Sequence, residues 1–79
     1  MSNPTLMFRI RIKTGDKNDE NIYFFVHKNR ELLSEEEQKS AFNEAVQEIN
    51  HIYKDYGRFA TPIGVKKLFD HFGFERTIP

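Results

Sequence analysis

The sequence contains no cysteine, so disulfide bonds, zinc–thiolate sites and thiol catalysis are all excluded. It also lacks a long hydrophobic run. The longest, Ile22 to Val26, has five residues, whereas a membrane-spanning helix needs roughly 20. Residues 1–13 contain no apolar stretch of the kind found in signal peptides. We therefore expect an intracellular, cytoplasmic protein that does not act in a membrane.

An excess of charge of one sign is missing as well. The 12 Lys and Arg residues balance 12 Asp and Glu residues, which argues against strong indiscriminate binding to nucleic acid. The charges are nevertheless unevenly distributed. Residues 1–30 carry six cations and three acids, residues 31–57 carry two and seven, and residues 58–79 carry four and two. Any charged binding surface is therefore expected to be local.

Motifs for catalysis are also lacking. None of the three serines (Ser2, Ser34 and Ser40) stands in a nucleophile motif, and the chain has no phosphate loop of the G-x-x-x-x-G-K type. Glu48 and His51 form a single E-x-x-H, but a di-metal bundle needs two such motifs and further carboxylates from other helices. We therefore expect no enzyme activity, no metal and no cofactor.

Aromatic residues are plentiful. Eight Phe and three Tyr among 79 residues supply a large buried area for so short a chain. A chain of this length forms a single small core. We therefore expect one domain over residues 1–79, with a disordered N-terminus at residues 1–5 and a short strand or tail at residues 75–79.

Two segments predict the strands of an antiparallel hairpin. "LMFRIRIK" (6–13) alternates between apolar and mostly basic residues, as a strand with one buried face does. "NIYFFVHK" (21–28) is rich in residues that favour strands, and the polar segment between the two contains turn residues. The second strand has apolar residues on both faces. Its parity, that is, which alternate set of side chains faces the core, can be assigned in two ways. The favoured parity turns Ile22, Phe24 and Val26 toward the core, and the opposite parity remains open.

Two helices are expected after the hairpin. Ser34 and Glu37 form a capping box, and apolar residues at three- and four-residue spacing continue toward Gly57, which is placed to end a long helix. A short helix is predicted from the N-cap Thr61 to the stop at Gly73. The predicted fold class is a small two-layer α+β domain. In it, an antiparallel hairpin, or three strands, packs on one long and one short helix in the order β-β-α-α(-β).

The outer face of the hairpin is the first candidate site. With the favoured parity it combines cations and rings as a partner-binding surface: Arg9, Arg11, Lys13, Tyr23, Phe25 and His27. Exposed aromatic residues beside arginine are typical of protein interfaces, so a protein partner or self-association is favoured. The alternative is a nucleic-acid-binding module, in which the cations contact phosphates and unstacked bases lie on the rings.

The start of the short helix is the second candidate. Gly64, Lys66 and Lys67 could bind an anion with free backbone N–H groups and nearby positive charge. Alternatively, Gly64 lets the short helix approach the long one closely, and packing is the favoured interpretation. The sequence thus predicts a small non-enzymatic binding protein, an adaptor or inhibitor of the kind that phages and mobile elements often encode, acting by protein–protein contact.

Overall fold

The computed structural model describes residues 6–14, 19–55 and 61–79. Three strands and two helices follow one another in the predicted order, and the third strand that the sequence left open is present. The α+β fold class is therefore confirmed. The elements are β1 (Phe8–Thr14), β2 (Asp19–His27), α1 (Glu35–Ile49) with a π-helical continuation (Asn50–Asp55), α2 (Pro62–His71) and β3 (Phe74–Thr77).

The sheet is antiparallel in the order β1-β2-β3, so β2 is the central strand. Phe8 lies opposite Phe25 in the first ladder, which extends toward the turn as far as Thr14 opposite Asp19. Both strands of the hairpin therefore continue closer to the turn than the sequence pattern predicts. The second ladder is short and pairs only the last four residues of β2 with β3.

The caps of both helices form as predicted. The Ser34 hydroxyl accepts from the Glu37 N–H at 3.2 Å, and the Glu37 carboxylate accepts from the Ser34 N–H at 3.0 Å. The hydrogen bonds that the carboxylate accepts from the backbone and the side chain of Ser34 lower the pKa of Glu37, because they favour its charged form. Thr61 caps α2, whose first residue is Pro62. The predicted end of the long helix at Gly57 lies outside the described residues.

The core contains one phenylalanine from each of the five strands and helices. Phe25 of β2 stacks on Phe69 of α2 with ring centroids 4.1 Å apart, and Phe8 of β1 stacks on Phe42 of α1 at 4.5 Å. Phe74 of β3 meets Phe8, Phe42 and Phe69 edge-on at 5.6 to 6.0 Å. Rings in such geometries attract one another beyond the gain from burial alone. The cluster therefore holds both helices against the same face of the sheet.

The turn from α2 into β3 depends on Gly73. Its φ of +90° lies in the left-handed region, and its carbonyl accepts from the Lys28 N–H at 2.8 Å. Lys28 also forms an ion pair with Asp70, which lowers the pKa of that carboxyl group. The end of β2 is thus tied to the end of α2.

Gly73→Ala is expected to destabilise the protein by about 1 to 3 kcal/mol. A Cβ at this position would lie 2.9 Å from Nε2 of His27, and the positive φ disfavours any side chain. Urea unfolding followed by circular dichroism measures the loss. An unchanged midpoint would show that this turn tolerates a side chain.

The buried His27 predicts a pH dependence of stability. The side chain is 5% exposed, and its Nδ1 accepts from the Asn29 N–H at 3.0 Å. Burial lowers the pKa of His27 below its usual 6.5. The unfolded chain therefore binds this proton more readily than the folded one. The stabilising contribution is present above about pH 6.5 and is lost as the pH falls from there through the lowered pKa of the folded state.

Urea unfolding at about pH 7.5 and pH 5.5 tests this dependence. The free energy of unfolding is expected to fall at the lower pH, and the fall should be smaller in His27→Gln. His71→Gln is the matched control, because His71 is exposed. A fall of equal size in both variants would contradict the assignment to His27.

Candidate binding surface of the sheet

The side chains of β2 face the opposite way from the favoured prediction. Tyr23, Phe25 and His27 point toward the helices and are only 3%, 1% and 5% exposed. Ile22 and Phe24 lie on the other side of the sheet, which we call the outer face. The predicted parity is therefore wrong, and the three rings assigned to partner binding lie in the protein interior.

Ring packing explains this outcome. Phe25 stacks on Phe69, Tyr23 lies beside Phe25 at 6.3 Å, and His27 meets Phe74 edge-on at 4.9 Å. These contacts tie β2 to the rings of α2 and β3. Burial raises the pKa of Tyr23, and the Arg76 guanidinium, 5.1 Å from the centre of its ring, partly offsets this effect.

The outer face combines arginine and apolar side chains. Arg9 lies opposite Phe24 in the ladder, and Arg11 lies opposite Ile22. Both arginines are exposed as predicted, and Phe24 is half-buried. Ile22 is 44% exposed, and Met7, which comes just before β1, is 49% exposed. The third predicted cation, Lys13, lies opposite Glu20 in the backbone register of the same ladder.

The outer face is open at one end of β2 and closed at the other. Val26 is only 7% exposed, and its neighbour across the ladder, Glu75, accepts from Arg30 at 3.1 Å. At the open end, beyond the last paired residue of β3, a groove of about 560 Å³ is present. It is lined by Ile22, Phe24, Arg76, Thr77, Ile78 and Pro79.

The second candidate site is occupied by internal contacts. The Gly64 N–H donates to the Thr61 hydroxyl at 3.0 Å, and the Val65 N–H donates to the Thr61 carbonyl at 2.9 Å. A Cβ on Gly64 would lie 2.7 Å from the Tyr53 hydroxyl oxygen. The glycine therefore serves close packing, and two of the backbone donors at this helix start are already used. Lys66 and Lys67 are exposed on α2.

A second groove, of about 600 Å³, lies between the two helices. Sequence reasoning missed it, although Ile52 and Leu68 both belong to the predicted apolar faces of these helices. Its rim includes charges of both signs, so it favours no particular class of ligand. The lining residues are Glu48, Ile52, Gly64, Lys67, Leu68, His71 and Phe72.

Two other kinds of site are absent from the described part of the chain. Among residues 6–14, 19–55 and 61–79, no three His, Asp or Glu side chains come together as metal ligands would. None of the helices described is both long enough and apolar enough to cross a membrane.

Comparisons with protein-family models, with curated proteins and with solved structures give no match for this chain. The function is therefore inferred from the surfaces of the molecule itself.

The two adjacent phenylalanines of β2 test the observed parity. Phe25→Ala is expected to destabilise the protein by about 3 to 5 kcal/mol, because it leaves a cavity beside Phe69. Phe24→Ala should cost about 1 kcal/mol, because that ring is half-buried on the outer face. Urea unfolding of both variants measures the difference. Equal losses, or a larger loss for Phe24→Ala, would contradict the parity seen here.

Proposed function

We propose that this chain is a small binding protein, an adaptor or inhibitor, which acts by stoichiometric contact with a protein partner through the outer face of its sheet. The observation that supports the proposal is the composition of β2. This central strand carries large apolar side chains on both faces, while the helices cover only one. Strands of this composition are normally buried on both sides.

The remaining residues of the outer face fit a protein interface. Arg9 and Arg11 flank the apolar side chains of Ile22 and Phe24. Interface centres are enriched in aromatic residues and arginine, and an apolar centre with a polar rim is their usual layout. Ile22 and Met7 are two of the five exposed large apolar residues of the described chain, at 44% and 49%. A partner that covers them would remove this apolar area from water.

Face-to-face self-association is less well supported by the charges. Glu75 on the outer face is already paired with Arg30, and Glu20 lies opposite Lys13 in the ladder. A second copy of the same face would therefore bring more positive than negative charge. A different protein that carries carboxylates fits better.

The nucleic-acid alternative is less well supported, because the rings that it needs for base stacking are not on the outer face. It required Tyr23, Phe25 and His27 on the same face as the arginines, and all three are in the interior. Phe24 is the one ring that the described outer face retains. Binding to single strands normally uses several such rings along a basic groove. The arginines alone favour a partner with carboxylates as much as one with phosphates.

Affinity capture from the cells that express this protein tests the proposal. Ile22→Lys is expected to reduce partner capture at least tenfold, because it places a charge in the apolar centre of the outer face. Ile63→Lys is the matched control, since Ile63 is 70% exposed on α2. The captured protein is then identified by mass spectrometry, purified and titrated against all three forms.

Both variants should keep the free energy of unfolding of the parent protein, which circular dichroism checks. If Ile22→Lys binds the purified partner as tightly as the parent and Ile63→Lys does, the outer face is not the binding site. If the only captured ligand is nucleic acid, the proposed class of partner is wrong.

A further inference from the structure

One edge of the sheet is suited to accept another strand. Within the described chain β1 pairs only with β2, so its second edge carries backbone N–H and C=O groups without a strand beside them. This edge is seven residues long. The opposite edge, formed by β3, has four residues. A long free edge is the place where strand addition by a partner normally occurs.

The side chains along β1 alternate in a way that specifies a partner. Arg9 and Arg11 lie on the outer side and are exposed. Phe8 and Ile10 lie on the inner side, at the rim of the core, and are half-buried. An added strand would place alternate residues beside the arginines and the residues between them beside the apolar pair.

We propose that the partner of the outer face supplies an extended segment with carboxylates on alternate residues and apolar residues between them, and that this segment adds to β1. The inference rests on the proposed function and specifies its partner. Charge complementarity supports this pairing. Residues two apart on the added strand have the same spacing as Arg9 and Arg11 on β1, about 7 Å, so alternate carboxylates can follow the two arginines. Glutamates on alternate residues of the added strand would therefore lie beside the positive charges of Arg9 and Arg11.

A second copy of β1 fits this edge poorly. Antiparallel pairing of two β1 strands would set the arginines of one copy beside those of the other, and like charges directly opposite each other destabilise a sheet. The same arginines protect the edge from self-association in the absence of a partner. They thus select an acidic strand over a second copy.

A synthetic peptide tests the inference directly. The probe is a fluorescein-labelled peptide with the core Glu-Val-Glu-Ile-Glu-Val, and the control peptide has Lys in place of every Glu. Fluorescence anisotropy is measured at low salt and at about 0.15 M ionic strength. The acidic peptide is expected to bind at least tenfold more tightly than the basic one. Backbone amides of β1 should exchange with deuterium at least tenfold more slowly when it is bound.

Charge reversal gives the second arm. The double variant Arg9→Glu/Arg11→Glu should lose the acidic peptide and bind the basic one, because the complementarity is inverted. Lys66→Glu/Lys67→Glu is the matched control. It changes the net charge by the same amount on α2, where both lysines are exposed, and should keep the preference for the acidic peptide. Loss of that preference in the α2 variant would show that only the overall charge matters.

Backbone N-methylation at alternate peptide residues separates strand addition from simple charge attraction. It removes N–H donors without changing charge, and is expected to abolish binding. Equal binding of the methylated peptide, or no binding of the acidic peptide, would overturn the inference. In that case, capture of a protein partner that Ile22→Lys loses would leave the proposed function standing. If Ile22→Lys loses no partner, the proposed function fails on its own test.

Discussion

Contact among five phenylalanines is the constraint on which the other features of this structure depend. Each strand and helix contributes one ring, so no element can leave the cluster without breaking contacts with at least one other. Smaller apolar residues of the sheet and both helices, such as Ile12, Ile49 and Val65, complete the core around these rings. The closest contact, Phe25 on Phe69 at 4.1 Å, also fixes which side of β2 faces inward.

The orientation of β2 also determines the composition of the outer face. Side chains alternate along a strand, so burying Phe25 turns Phe24 and Ile22 outward beside the arginines of β1. The packing of the core therefore determines which side chains form the outer face. As a result, that face combines arginines with apolar residues. Since both helices lie on the inner face, the described chain leaves Ile22 exposed and Phe24 half-buried on the outer face.

Local signals predicted most of the fold. The capping box at Ser34, the cap at Thr61 and the glycine stop at Gly73 each act through neighbouring backbone groups, so the sequence alone locates them. The parity of β2 could not be predicted in this way, because both of its faces are apolar and the choice depends on rings elsewhere in the chain. The error moved three predicted site residues into the core, whereas Arg9 and Arg11 stayed outside because β1 alternates clearly.

The most direct test of this account is the solvent exposure of two neighbouring side chains in the free protein. Proton relaxation is measured by NMR while a soluble gadolinium chelate is added. Ile22 is 44% exposed and Tyr23 is 3% exposed, so the methyl signals of Ile22 should broaden strongly and the ring signals of Tyr23 should not. Broadening of Tyr23 with protection of Ile22 would contradict the parity of β2, and the binding surface proposed on its outer face with it.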